Sequence, residues 1–583
     1  MPTLEWIGKE KVVNHHLEVP YRVLERKYSF DKNGQTEADN GSENMIIHGD
    51  NLEALKSLLP QYEGRVKCIY IDPPYNTGNE GWVYNDNVND PHIKAWLNKT
   101  VGKEGEDLSR HDKWLCMMYP RLKLLQKLLA EDGAIFISID DAEYANLKLI
   151  CDEIFGSNCF VSNISWQRTY STRNDSKGIV NEVEHIVVYS KQPGWNPNKL
   201  PRTAEMDSKY KNPDNDRTLW RTDNAFAPGG ATHQGMVYAI QHPFTGKMLY
   251  PANGRHWTFG QDQMLEIMRG WCSYELRDLN DAHERAVVCG IPESDVRQGV
   301  QAIVLSEPLE ISAQKARTVY DRGQWPRFFF TKGGKGGIAR KTYLDNVGGK
   351  LPTNFWPFSE TGHTDEAKKE MLAIFDGKAT FDTPKPHRLI EFVLKVAGSK
   401  DSLILDSFAG SGTTAHAVLN MNKADGGHRK FILVEMGDYA DSITAERVKR
   451  VIHGYGEGKN AVPGTGGNFS FYELGEPLMN GDVLNENVGV DKIREYVYFT
   501  DTKTPLPESS PEEPYLMGVH VNSAYYFYYE KQSVTTLNRQ FLHNVKTKAD
   551  AYVIYADLCT LSDTELEKYH ITFKKIPRDI TKL

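Results

Sequence analysis

The sequence predicts an α/β fold with a mostly parallel sheet covered on both faces. Short apolar strands alternate with amphipathic helices from residue 45 to 155. The same alternation resumes after Pro384, and two of the strands run into turns built from proline or glycine. With 583 residues the chain has material for two or three domains.

Taken in order, residues 1–43 form an N-terminal arm. Residues 45–48 read as a strand, 51–59 as a helix with apolar residues at 52, 55, 58 and 59, and 66–71 as a second strand. The spacing then predicts a longer helix over 114–131, with Leu115, Met118, Leu122, Leu125, Leu128 and Leu129 in one stripe that core packing explains in full. Asp132 and Gly133 end it, 134–139 is a buried strand, and 142–155 is another amphipathic helix. Strand-like runs at 158–167 and 184–190 follow with no helix between them, which predicts an antiparallel hairpin at the sheet edge.

From 191 to 375 the periodicity weakens while Gly, Pro, Asn and aromatic residues rise, as expected of an inserted domain. Beyond Pro384 come a helix through Leu389, Ile390, Phe392, Val393 and Val396, a strand at 402–405, a glycine-rich turn, a helix from Thr413 and a strand at 431–434. The glycine-rich segment 454–467 reads as a linker. Residues 468–583 read as a C-terminal α+β domain for assembly, with strand-like runs at 524–529 and 551–554.

Composition excludes several classes. The seven cysteines are scattered without C-x-x-C pairs, so neither a disulfide framework nor a metal site is expected and a reducing cytoplasm fits. The charged N-terminus lacks the apolar core of a signal peptide, and no run approaches the length of a membrane helix. The net charge of −9 counts mildly against a nucleic-acid partner, although local charge is what meets a phosphate backbone. Residues 321–350 carry seven Lys or Arg against two Asp, interleaved with Trp325, Phe328, Phe329 and Phe330. That stretch is either a nucleic-acid surface or a solvated basic loop beside a core strand. No phosphate-binding motor motif of the G-x-x-x-x-G-K-[ST] type occurs.

Two motifs carry chemistry. The run from Cys68 to Tyr75 is a strand that ends in Asp72, Pro73, Pro74 and Tyr75. A carboxylate there can accept a hydrogen bond from an exocyclic amine, the two prolines lack N–H groups and fix the backbone so that a carbonyl accepts the second, and the tyrosine offers a face for stacking. The bland alternative is a polar turn closing a strand. The second motif, from Asp406 to Thr414, places Gly410 and Gly412 between a strand and a helix start, where backbone can approach a ligand closely. Glu435, 25 positions after Gly410, closes the next strand, where a carboxylate commonly bonds both ribose hydroxyls. Alone, this turn suits NAD, an adenosyl-type cofactor or a purely structural bend. Beside an amine clamp it points to transfer onto a base, for which S-adenosylmethionine brings its own electrophile.

These residues resemble the amino-group DNA methyltransferases that modify adenine N6 or cytosine N4. Asp72-Pro73-Pro74-Tyr75 looks like their catalytic motif in its adenine form, and Phe408-Ala409-Gly410-Ser411-Gly412 like their cofactor motif. The catalytic motif comes first in the chain, as in the permuted beta class. His48-Gly49-Asp50-Asn51 and Thr383-Pro384-Lys385-Pro386 add to the match. Asn76-Thr77-Gly78-Asn79-Glu80, residues 114–122 and 135–141, and the closing stretch 573–579 resemble the modification subunit of type III restriction systems.

The resemblance implies a Rossmann-like methyltransferase domain in two parts, a catalytic half at 44–190 and a cofactor-binding half at 376–457, separated by a target-recognition insert at 191–375. It implies catalytic roles for Asp72, Pro73, Pro74 and Tyr75. It implies cofactor contacts from Asp406, from the backbone at Phe408, Gly410 and Gly412, from Thr413 near the amino-acid end, from Glu435 on the ribose, from Asp50 near the adenine ring, and from Lys385. Each has a local alternative: Asp50 can cap the helix from Asn51, Lys385 can be surface charge, and Phe408 can be core. The expected partners are double-stranded DNA, a second copy of the chain, and a separate ATPase and nuclease subunit. Rival readings are methylation of cytosine N4, of an RNA base or of a glutamine side chain, an NAD-dependent oxidoreductase, and a DNA-binding module without catalysis.

Overall fold

The computed structural model describes residues 3–77, 110–170, 179–508 and 511–578. They form two compact units, one made of residues up to Asn198 and from Pro352 onward, the other of Lys199–Leu351.

An eleven-stranded sheet organises the larger unit. Its strands are β1 (Arg22–Asp31), β2 (Gly34–Thr36), β3 (Met45–His48), β4 (Val66–Ile71), β5 (Leu129–Ile139), β6 (Phe160–Gln167), β7 (Val183–Ser190), β8 (Phe355–Trp356), β9 (Leu403–Asp406), β10 (Lys430–Glu435) and β11 (Asn468–Pro477). They lie in the order β8-β6-β7-β5-β4-β9-β10-β3-β11-β1-β2. The six from β5 to β11 run parallel. Of the expected antiparallel pair, β7 runs antiparallel to both β5 and β6, and the two residues of β8 lie outermost, parallel to β6.

Near-continuous apolar sequence explains the parallel core, because strands covered on both faces need no polar side. Ile69, Ile71, Ile135, Ile137, Ile432 and Val434 are all inaccessible. The helices α1 (Asn51–Tyr62), α2 (Arg110–Leu128) and α3 (Asp141–Phe155) pack Leu55, Leu58, Leu122, Leu125 and Leu147 on this sheet. Further along the chain come α4 (Thr364–Ile374), α5 (His387–Ala397), α6 (Thr413–Asp425) and α7 (Glu446–His453).

The connectivity places a crevice. From β4 the chain crosses to β5 on one side, whereas from β9 it crosses to β10 on the other, although β4 and β9 are neighbours. Right-handed crossovers in opposite directions send α2 and α6 to opposite faces and leave a gap at the carboxyl ends of β4 and β9, where open α/β sheets bind ligands.

Two boundaries differ from the sequence reading. The helix expected to reach residue 131 ends at Leu128, and β5 starts at once with Leu129. The segment after the glycine-rich stretch contributes β11 to the main sheet between β3 and β1, with Phe469, Ser470 and Phe471 all buried. Beyond it, Val490–Thr502 is a helix and Leu516–His520, Ser523–Phe527, Ala551–Ala556 and Ile571–Lys575 form a separate four-stranded sheet. Among the described residues no helix is long and apolar enough to cross a membrane.

The smaller unit has its own core, in which Trp257, Trp271, Phe328 and Phe330 are buried together. Its ends meet: Leu200 and Lys350 exchange both backbone hydrogen bonds at 2.8 Å. The basic stretch 321–350 is in part internal. Lys341 is fully buried, bonded to Asp214, to Asp216 at 2.6 Å and to the Trp325 carbonyl at 2.7 Å, and Arg340 pairs with Asp223 at 3.1 Å. Two of its seven positive charges are therefore committed to holding the unit together.

Candidate active site

Four adjacent parallel strands deliver four carboxylates to the crevice. Asp72 follows β4, Asp406 ends β9, Glu435 ends β10, and Asp50 lies two residues beyond β3. Leu405 pairs with Ile69 across β9 and β4, so the proline turn and the glycine turn emerge side by side.

Around Asp72 four charged or polar side chains close on one another. Lys385 Nζ lies 2.8 Å from each Asp72 oxygen, 2.8 Å from Tyr75 Oη and 3.3 Å from Glu184 Oε1. Tyr75 Oη is also 2.8 Å from Asp72 Oδ1 and bonded to Glu184, and the Lys385 ammonium stands 4.9 Å over the Tyr75 ring. All four residues are buried or nearly so. Burial disfavours the charge on Lys385, but Asp72 and Glu184 together outweigh it and raise its pKa above the ordinary lysine value. Burial, reinforced by Asp72 and Glu184, lifts the Tyr75 phenol well above its usual range, so the hydroxyl keeps its proton.

The turn itself is held from behind. Trp114, inaccessible on α2, donates its indole N–H to the Pro74 carbonyl at 2.7 Å. Asn76 turns the chain with φ +56, a conformation asparagine tolerates, and its amide is bonded to the fully buried Glu143, which also meets His111 at 2.6 Å and Asn146 at 2.7 Å. Gly78, Asn79 and Glu80, and Asp579 at the other end of the chain, lie outside the described residues.

The glycine turn uses positive φ at Gly410 (+51) and Gly412 (+79), where a Cβ would meet the Phe381 ring at 3.2 Å and the Thr444 carbonyl at 2.9 Å respectively. Its N–H groups bond to acceptors within the protein: Phe408 N to Asp406 at 3.1 Å, Gly410 N to Glu435 at 2.7 Å, and Gly412 N to the Ala409 carbonyl at 2.8 Å. The second Glu435 oxygen takes Gly437 N at 2.9 Å, and the second Asp406 oxygen takes the Thr414 hydroxyl at 2.6 Å. Burial pushes Asp406 up to about 7 despite these donors, with Asp72 and Glu435 adding like charge, and burial also raises Glu435.

The remaining expected residues are placed plainly. Asp50 caps α1, accepting from Leu52 N at 2.8 Å and Glu53 N at 3.3 Å through Oδ1, so its local alternative is realised. Lys385 is buried in the Asp72 cluster and is not surface charge. Phe408 is half-buried and packs against the core. Thr413 opens α6, and its hydroxyl donates to the Lys385 carbonyl at 3.2 Å, which ties the glycine turn to the lysine.

Sequence reasoning missed Glu184, Trp114 and a buried group behind Thr413. There Arg447 Nη1 lies 2.8 Å from Thr413 Oγ1 and 2.9 Å from Ser411 Oγ, while Nη2 reaches Glu370 at 3.1 Å and His416 Nδ1 at 3.1 Å. Glu370, His387 and His416 have donor atoms within 4.8 Å of one another. The Arg447 guanidinium already binds two of the three and brings a positive charge, so this cluster is an ion-pair support of the glycine turn and a poor metal site. No local signal marks the charged ones: Glu184 lies between Glu182 and His185, and Arg447 next to Glu446 and Lys449, as on an ordinary polar face.

The DNA methylase family model matches residues 66–446. The type III restriction-modification enzyme StyLTI Mod subunit of Salmonella typhimurium is 34% identical over 479 residues, 77% of this chain and 62% of its own. The EcoPI Mod subunit of Escherichia phage P1 is 28% identical over 470 residues, 74% of this chain and 63% of its own. The type II methyltransferase M.KpnI of Klebsiella pneumoniae is 30% identical over 413 residues, 68% of this chain and 81% of its own. The chain thus spans under two thirds of the length of these two type III relatives.

Proposed function

Since the chain belongs to the DNA methylase family, we propose that it transfers a methyl group from S-adenosylmethionine to N6 of an adenine turned out of double-stranded DNA. The observation that carries this reading is the meeting of the Asp72 turn and the Gly410 turn at one crevice, at the ends of neighbouring strands.

The residues present fit this cofactor better than NAD. A dinucleotide would lay its pyrophosphate on the N–H groups of the glycine turn, yet those of Phe408 and Gly410 are held by carboxylates. Asp406 and Glu435, both buried at this turn, would repel a phosphate, whereas they can accept from hydroxyl groups and pair with a cation. When bound, S-adenosylmethionine supplies an electrophilic methyl group on a sulfonium. Asp406 and Glu435 would face its charge and its ribose, and the backbone of Gly410 and Gly412 would allow close approach.

On the base side, Asp72 accepts one hydrogen of the amine. Trp114 holds the Pro74 carbonyl, which leaves the Pro73 carbonyl as the second acceptor. Held by both hydrogens, the amine keeps its lone pair out of the ring plane and aimed at the methyl carbon. Bound S-adenosylmethionine would supply the methyl carbon, its C–S bond giving way with the electron pair left on sulfur as the amine bonds to that carbon, and the proton the amine then loses would pass Asp72 to solvent. Positioning supplies most of the rate. Turning the base out costs a few kcal/mol, which contacts in the pocket offset.

The same reading extends to partners. The unit Lys199–Leu351 recognises the target sequence, the chain acts as a homodimer in the cytoplasm, and it serves as the modification subunit beside a separate restriction subunit. Purified protein should move radiolabelled methyl from S-adenosylmethionine to unmodified DNA, and sequencing native DNA from expressing and non-expressing cells should place N6-methyladenine in one sequence context. Methyl on cytosine N4, or on RNA alone, would overturn the adenine assignment; cofactor binding with no transfer would overturn the enzyme.

A further inference from the structure

The Lys385 ammonium covers both features that a target base needs. It contacts both oxygens of Asp72 at 2.8 Å and stands over the Tyr75 ring at 4.9 Å. An amine arriving at Asp72 would have to replace a charge-assisted bond to an ammonium, which a neutral amine cannot match strongly. The lysine therefore needs another place to put its charge, and the place has to be close and buried.

Glu184 meets that need. It lies near the start of β7, its carboxylate is 4% exposed, Oε1 is 3.3 Å from Lys385 Nζ, and Oε2 is 3.6 Å from Arg168 Nη1. Tyr75 Oη touches both carboxylates, so the phenol can stay bonded to Glu184 when Asp72 changes partner. We propose that Glu184 is a positioning residue: it takes over the Lys385 ammonium when the base amine occupies Asp72, and so uncovers the acceptor and the ring together. After the exchange the ammonium keeps a carboxylate partner in Glu184, and Asp72 exchanges its counter-charge for the hydrogen bond of the base amine, so the cost of the move falls on Asp72 alone. This rests on the transfer reading above.

Glu184→Gln keeps shape and the acceptor for Tyr75 but removes the charge. The lysine then stays on Asp72. Single-turnover methyl transfer to DNA at saturating cofactor should fall at least about tenfold, with cofactor affinity by calorimetry kept within about threefold, and Glu184→Asp should restore part of the rate. In a Lys385→Met background, itself expected to be slow, adding Glu184→Gln should cost no more than about threefold, since the ammonium to be moved is gone. An unimpaired Glu184→Gln, or a loss of about tenfold or more from that substitution in the Lys385→Met background, would overturn the proposal. Should Glu184→Gln alone fail to fold, the pair Lys385→Met and Glu184→Gln/Lys385→Met carries the same comparison. Wild-type protein that moves no methyl to DNA would sink the functional reading itself, whereas an active wild type with an unimpaired Glu184→Gln sinks the exchange alone.

Discussion

Replacing Asp72 by alanine removes the proposed acceptor for the base amine but leaves Lys385 its pair with Glu184 at 3.3 Å. The cluster loses one carboxylate without stranding the ammonium. We expect methyl transfer to drop by at least about 10³-fold, since both orientation and charge complementarity go, while cofactor affinity by calorimetry stays within a few-fold. A second residue-scale prediction concerns pH. Burial pushes Asp406 up to about 7, and a cation bound beside it would favour the charged form, so cofactor binding should expel its proton. Affinity should rise with pH through about 7 and level off above, and Asp406→Asn should flatten that dependence in calorimetry. The stability effect has the opposite sign. An acid whose folded pKa exceeds its unfolded value of 3.8 binds its proton more tightly when folded, so its contribution is present at low pH and is lost as pH rises from about 4 through 7. Asp72, Asp406 and Glu435 were legible in sequence because a strand end followed by proline or glycine is a local pattern. Glu184 was not, because its partners are far away in the chain and β7 alone gives no reason to bury a carboxylate.

At the scale of elements, α2 connects core packing to the chemistry. Its stripe of leucines is what periodicity shows, yet its first buried residue, Trp114, anchors the proline turn through the Pro74 carbonyl. Trp114→Phe should cost about 1–3 kcal/mol of stability, from a lost hydrogen bond, an unsatisfied carbonyl and a small cavity, read by denaturant unfolding. Transfer should fall by more than cofactor affinity does, because the turn carries the amine acceptors. The helix was read three residues too long since Leu129 continues its stripe, but pairing of Leu129 with Val66 draws that residue into β5. The strand β11 was hidden for a similar reason. Glycine-rich sequence before it reads as a linker, and only the open edges of β3 and β1 explain why residues 468–477 complete the sheet. In both places long-range strand pairing overrides a local signal.

For the whole molecule, the insert can be argued as a separable part. Loss of periodicity places the insert between 191 and 375, while the compact unit is Lys199–Leu351; the flanking segments 191–198 and 352–375 belong with the larger unit, where β8 pairs with β6 and α4 buries Ala367, Met371 and Ile374. Its core is independent, built on Trp257, Trp271 and Phe328 and tied internally by the buried Lys341 with Asp214 and Asp216. Because Leu200 and Lys350 are hydrogen-bonded neighbours, replacing the residues between them by a linker of about four glycines and serines would join the ends without stretching either, since such paired residues lie roughly 5.5 Å apart at Cα. The shortened chain should unfold in one cooperative transition, retain cofactor binding within a few-fold, and lose methylation at a defined DNA sequence. The excised 199–351 fragment should show its own cooperative melt, as a domain of that size with a closed core does. A fragment that unfolds without cooperativity is not an autonomous domain, and a shortened chain that still methylates in one sequence context means that recognition is not housed in this unit and must be sought on the larger one.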